Sequence, residues 1–193
     1  MDNKKERIIH AAIEVFRRQG IEKTKISDIV KVAGIAQGTY YLYFPSKLSV
    51  MPSIAEVMVE KIIGAVQDQV EENAPFSDRL RQLVDVVFAL TKDYRDIFAL
   101  IYAGLASTEH LKEWESIYAP YYSWMSTFLL EAKEAGSIRS SLQPVCTAKL
   151  VIGVIESAAE QIYLYDNSSE ENAAIQKREV LSFLGHALGI QSR

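Results

Sequence analysis

Between positions 37 and 47 the chain sets an amide, several hydroxyls and an amine at short intervals: Gln37, Thr39, Tyr41, Tyr43 and Lys47. None forms an acid–base pair or a nucleophile with a base, so their shared chemistry is hydrogen bonding. Gln37 suits a bidentate pair with adenine in the DNA major groove, worth roughly 1–3 kcal/mol of discrimination. Thr39 and Tyr43, four apart, offer hydroxyls to phosphates, or the threonine methyl to a thymine. Tyr41 projects to a neighbouring rim of that face. Gly38, lacking a side chain, lets phosphate approach the free N–H groups at a helix start. Lys47, opening the next helix, would clamp a phosphate. Tyr40 and Phe44, also four apart, read instead as core.

These side chains need a rigid mount, and residues 24–47, TKISDIVKVAGIAQGTYYLYFPSK, supply one. Ile29, Val30 and Ala33 share one face of a first short helix, and Tyr40 and Phe44 share one face of a second. Gly34 separates them as a left-handed C-cap would. Pro45 and Ser46 stop the second helix, and Ser46 can cap a third. Two helices joined by a short turn containing Gly make a helix-turn-helix, whose second helix can lie in the major groove.

Total charge argues against nucleic acid: 21 Lys+Arg face 25 Asp+Glu, a net of −4 over 193 residues. Its distribution argues for it. The first fifty residues carry nine basic and five acidic groups, +4, which leaves −8 for the remainder. A basic head on an acidic body is the footprint of a small phosphate-binding module.

The rest of the chain repeats at helical rather than alternating spacing. Asp2 or Asn3 caps a first helix carrying Ile9, Ala12, Ile13 and Phe16 and closed by Gly20. Further helices are expected from Ser46 to about Glu72, Ser77 to Asp93 and Asp96 to Leu105. Three more cover Thr108 to Ala135 with a bend at Pro120, Pro144 to Tyr165, and Glu170 to Leu188. The expected fold is all-α, with about nine helices. A three-helix DNA-binding domain fills 1–47, and a helical body fills 48–193.

The single cysteine, Cys146, allows no intramolecular disulfide and reads as a small core residue in a reduced setting. No signal-peptide pattern and no apolar run of about 18 residues is visible, so a cytoplasmic, non-membrane protein is expected. His10, His110 and His186 lie in separate segments without metal-ligand spacing, and no phosphate loop or nucleophile elbow occurs. Catalysis, metals and cofactors are not expected.

Residues 5–50 resemble the DNA-binding domain of the TetR/AcrR transcriptional regulators. The resemblance rests on Phe16, Gly20, Thr24, Asp28, Ile29, Ala33, Gly34, Gly38, Thr39, Tyr41, Tyr43, Phe44, Ser46 and Lys47 at the family's spacing. It implies a homodimer that binds a palindromic DNA operator, most simply as a repressor, and releases it when a small molecule enters the C-terminal domain. The resemblance thereby makes the helical body of 48–193 a ligand-binding and dimerisation domain. Two positions depart from the pattern. Lys25 replaces a threonine, which shifts the second helix's cap to Thr24 or weakens it and leaves Thr24, Lys25 and Ser27 as candidate phosphate contacts. Ala36 replaces a serine and forgoes a cap worth about 1 kcal/mol. Pro52, early in the helix that the resemblance makes the connector, is either a pre-set bend or a tolerated kink costing about 3 kcal/mol unless the helix reshapes.

The aromatic stretch from 94 to 128 supplies the expected effector site: Phe98, Tyr102, Trp114, Tyr118, Tyr121, Tyr122 and Met125, with Ile155 and Glu156 from the 144–165 helix. Tyrosines, apolar rings with polar tips, suit a pocket for a flat or elongated apolar ligand. Glu156 and Glu160, one turn apart in a nearly uncharged helix, either pair with a cationic ligand or form a solvated edge. The 144–165 helix is apolar on more than one face and must be covered on each. Ile152, Ala159 and Ile162, with Val180, Phe183, Leu184 and Leu188 of the last helix, are therefore expected to pair with a second copy. Two heads would then reach successive major grooves, roughly 34–36 Å apart.

Overall fold

Asn3 starts the first helix as expected, its Oδ1 accepting the Glu6 N–H at 3.3 Å. The computed structural model describes the backbone of residues 3–105, 111–165 and 169–190, and the side chains of these except 100, 102–105 and 111–113. Asp2 and Thr108 lie outside the described residues. In chain order the elements are α1 (Lys4–Gln19), α2 (Ile26–Ala33), α3 (Gln37–Tyr43), a 3₁₀ turn (Leu48–Val50), α4 (Met51–Gln69) and α5 (Phe76–Asp93). They continue as α6 (Arg95–Leu105), α7 (Leu111–Glu134), α8 (Pro144–Glu160), a π turn (Gln161–Tyr165) and α9 (Glu170–Leu188). The described residues are all-α, without a strand. The chain divides into two compact units, residues 1–58 with 96–117, and 59–95 with 118–193. That division falls inside α4, later than the 47/48 boundary expected from the motif.

In the first unit α1 buries Ile9, Ala12, Ile13 and Phe16, the helix-period face expected of it, and Ile8 and Val15 beside them. Lys25 is the N-cap of α2, and the Asp28 carboxylate accepts the Lys25 N–H at 2.9 Å. That backbone bond, helped by the amide of Gln19 at 3.1 Å, holds the Asp28 carboxyl below its ordinary range. The first turn of α2 is thus capped from inside the helix, the acidic half of a capping box. At the other end Gly34 sits at φ +63°. Its N–H reaches the Lys31 carbonyl and the Ile35 N–H reaches Val30, closing a Schellman motif.

Ser46 and Ser49 cap each other after α3, each hydroxyl accepting the other's N–H at 3.0 and 3.2 Å. The 3₁₀ turn then resolves the Pro52 question locally. Met51 N–H takes the Leu48 carbonyl, α4 begins at Met51, and Pro52 falls in its first turn, where no N–H is required. The cost expected of an interior proline does not arise.

The second unit is built on α5, α8 and α9, which pack on one another. Leu83, Val84, Phe88, Val151, Ile155 and Leu184 fill its centre. Here the expected dimer surface needs correction. Ile152, Ala159, Ile162, Val180, Leu184 and Leu188 are all buried inside this chain's own core, and only Phe183 of that set is outside, 61% exposed. The apolar groups α8 and α9 leave exposed are Val145, Leu150, Ile175 and Phe183. Cys146 is corrected too: it is exposed, not core. The helix expected over 144–165 is α-helical only to Glu160 before it loosens into the π turn, while α7 runs unbroken through Pro120.

Candidate nucleic-acid interface and effector chamber

Tyr40 determines which way α3 faces. Its ring is fully buried, packs against Phe44 at 5.7 Å, and its hydroxyl donates to the Ser46 carbonyl at 3.1 Å. Two residues along a helix is a rotation of about 200°, so anchoring Tyr40 inward turns Leu42 outward. Gln37 and Gly38 are exposed, Thr39 is half-buried, and Tyr41, Leu42 and Tyr43 stand 49%, 82% and 43% exposed. A Cβ on Gly38 would meet no protein atom within 4 Å, so the start of α3 is open to an approaching backbone. As expected, Ala36 caps α3 without a side-chain bond. Leu42 was missed by reading side-chain chemistry alone; the inward pair Tyr40 and Phe44 was the signal that could have found it.

The polar residues around α3 divide into two groups. Lys25 and Ser27 are exposed at the start of α2. Thr24 is not available for a phosphate: it is 3% exposed and its hydroxyl donates to the Gly20 carbonyl at 2.7 Å. Lys47 is half-buried, and its ammonium donates to the carbonyls of Ile21 at 2.7 Å and Thr24 at 3.1 Å. It therefore ties the end of the motif to the α1–α2 turn, leaving one of three N–H groups for any other acceptor. Arg7 does similar work at the far end of α2, donating to the Ala33 and Gly34 carbonyls at 2.5 and 3.3 Å.

In the second unit the expected effector residues are mostly core. Tyr118, Tyr121, Met125, Ile155 and Glu156 are buried, and Tyr122 is half-buried under Lys149, whose ammonium lies 4.8 Å from the ring centre. Phe98, buried, and Trp114, half-buried, belong to the other unit. The side chain of Tyr102 lies outside those described. Glu156 is buried rather than a solvated edge. The Tyr118 hydroxyl donates to its Oε1 at 3.2 Å, and the Tyr121 hydroxyl is buried without a hydrogen-bond partner among the described residues. Burial pushes the Glu156 carboxyl up to about 8, against the lowering effect of the Tyr118 bond and with the nearby Glu160 adding to the rise. The group is thus chiefly a neutral acid at pH 7, a poor counter-ion for a cation. Burial pushes the Tyr121 phenol up as well.

A cavity of about 440 Å³ opens elsewhere on α7, among Val66 of α4, Val70 just after it, Arg79 of α5, and Trp124, Phe128 and Glu131 of α7. That volume lies in the range of small-molecule sites. Trp124 and Phe128, one turn apart, stack at 5.3 Å and 19°. None of the described residues expected at the effector site lines this cavity. Among the described residues no cluster of three His, Cys, Asp or Glu could hold a metal, and no helix is long and apolar enough to cross a membrane.

Comparison with known proteins agrees with this geometry. Residues 8–52 match the family model for bacterial regulatory proteins of the tetR family, and residues 80–188 match a tetracyclin repressor-like C-terminal domain. An uncharacterized HTH-type transcriptional regulator of Bacillus subtilis (strain 168), YvdT, is 38% identical over 186 residues, 96% of this chain and 95% of its own. The fatty acid degradation regulator FadR from Bacillus halodurans superposes with a TM-score of 0.77 at 22% identity over 99% of both chains. FadR from Bacillus subtilis, solved in complex with stearoyl-CoA, superposes with a TM-score of 0.74 at 23% identity, over 93% of this chain and 96% of that one. With its helix-turn-helix and its helical C-terminal domain both matched, the chain belongs to the TetR family of DNA-binding transcriptional regulators.

Proposed function

We propose that the chain is a ligand-responsive repressor that binds a palindromic operator as a homodimer and is released by a small apolar or aromatic effector. The outward face of α3 carries this reading. Gln37, Gly38, Thr39, Tyr41, Leu42 and Tyr43 surround the buried Tyr40, so base-reading and phosphate-binding groups are exposed on a helix that cannot turn. Gln37 and Leu42 suit base edges, an adenine and a thymine methyl. Thr39, Tyr41, Tyr43, Lys25, Ser27 and the spare N–H of Lys47 suit phosphates.

Seven residues of helix are too few for tight binding alone, and a second copy doubles the contact. The exposed Val145, Leu150, Ile175 and Phe183 are the dimer surface in this reading, with Gly153 and Ser157 on the exposed side of α8 allowing close approach. The chamber beside Trp124 is the effector site. An effector releases DNA only as far as it prefers the released conformation.

Mobility-shift titration on DNA upstream of the chain's own gene tests the reading. Two copies should bind a two-fold-symmetric site with affinity falling steeply as salt rises, and Tyr43→Ala should weaken binding at least tenfold while the dimer persists. Loss of the dimer in that variant, or salt-insensitive binding, would refute it.

A further inference from the structure

Among the described residues that line the chamber beside Trp124 there is one cation, and most of its hydrogen-bonding capacity is unused by them. Arg79 lies over the Phe128 ring, 4.8 Å from guanidinium carbon to ring centre, so its position is fixed by packing. A guanidinium carries five N–H donors. The protein acceptor recorded for Arg79 is Glu131 Oε2, 3.4 Å from Nη2, beyond the usual range for such a bond. Its Nε is buried with no hydrogen-bond partner among the described residues. Depth separates the charges: the Arg79 side chain is 18% exposed and that of Glu131 is 55% exposed, with Glu72 likewise exposed on the lining. Positive charge is thus inside and negative charge outside, with Val66, Val70 and the Trp124–Phe128 stack as apolar walls.

Building on the effector reading above, we propose that this chamber takes an aromatic carboxylate. The flat ring would lie against Trp124, and the carboxylate would receive a forked pair of bonds from Arg79, displacing Glu131. Planar two-oxygen anions match the guanidinium fork. A single negative charge is favoured over a phosphate dianion because Glu72 and Glu131 repel the second charge. A cation of the same shape would meet Arg79 and be rejected.

Calorimetric titration of the full chain, free of DNA, with 2-naphthoate, 2-naphthol, 2-naphthylmethylammonium and 2-naphthyl phosphate tests the assignment. Naphthoate should bind at one site per chain, at least tenfold tighter than each of the other three. Arg79→Gln should lose at least tenfold for naphthoate and change naphthol little, and Glu131→Gln should tighten naphthoate severalfold by removing the competing carboxylate. Equal binding of the ammonium or the naphthol, or a Glu131→Gln protein that binds naphthoate more weakly, overturns the proposal. Should Arg79→Gln fail to fold, the Glu131 variant and the four-probe comparison still decide. The mobility shift separates the two levels of failure. Operator binding that stearoyl-CoA relieves and naphthoate does not would overturn this ligand class while leaving the repressor reading intact; absence of operator binding would overturn the latter alone.

Discussion

Replacing Glu156 with glutamine should stabilise the protein, by an amount that grows with pH. The carboxyl titrates at 4.5 in an unfolded chain and near 8 where α8 buries it. An acid with a raised folded value loses its proton first in the unfolded state, so folding is penalised as pH rises through that window. Below pH 4.5 the penalty vanishes. Between 4.5 and 8 it grows by about 1.4 kcal/mol per pH unit, and above 8 it levels off. Relative to a side chain that cannot ionise, the wild type should be weaker by less than about 1 kcal/mol at pH 5, about 3 at pH 7 and about 5 at pH 9. Glutamine keeps the shape and leaves an oxygen to accept the Tyr118 hydroxyl, which now lies 3.2 Å from Oε1. It also supplies an N–H that a hydroxyl such as that of Tyr121, buried without a hydrogen-bond partner among the described residues, could accept. Urea unfolding of both proteins at the three pH values, followed by far-ultraviolet circular dichroism, reads the difference directly. A gap that stays constant from pH 5 to 9, or a glutamine variant weaker at pH 9, would mean that Glu156 is hydrated or paired and would refute the reasoning.

Gly34→Ala should cost roughly 1–2 kcal/mol, because the residue must hold φ +63° and its new Cβ would lie 3.0 Å from Arg7 Nη2; an unchanged thermal midpoint counts against it. Lys47→Met removes the donor to the Ile21 and Thr24 carbonyls and should cost about 1.5–3 kcal/mol of local stability. Amide exchange over 21–33 should therefore accelerate at least tenfold, and unaltered exchange would return Lys47 to a purely DNA-facing role. Phe183→Glu should convert dimer to monomer in sedimentation without lowering the unfolding midpoint, since the ring is 61% exposed; a dimer that survives places the interface elsewhere.

The helix-turn-helix was legible because everything that shapes it is local. Gly34, Tyr40, Phe44 and Ser46 each act on neighbours within a few residues, and the side chain that a helix places inward implies the ones it places outward. Lys47 was misjudged where that locality fails, and Thr24 because a short turn, not a helix face, sets its partner. The Thr24 hydroxyl is used by a carbonyl four residues back, across the turn rather than along a helix, and the Lys47 ammonium by carbonyls 26 and 23 residues away. Hydrogen-bonding capacity is visible in a residue's type, but for Lys47 whether the fold has already used it depends on chain brought close only by tertiary packing.

Helix α8 shows the same limit for apolar groups. A helix apolar over more than half its circumference states that it must be covered, not by what. Ile152, Ala159 and Ile162 fit the spacing of a buried stripe, and in fact they are buried, against α5 and α9 of the same chain. Once a chain's own helices have covered the middle of the stripe, the apolar surface left over lies off it, at its rim or at a helix end. Leu150 lies off it, opposite the buried residues of α8, whereas Val145 in the first turn of α8 and Phe183 at the rim of the α9 stripe keep the helical spacing and are exposed all the same. On α8 the regular spacing marks the protomer's own core, and helical spacing by itself does not say whether an apolar residue at its rim faces that core or the proposed second copy.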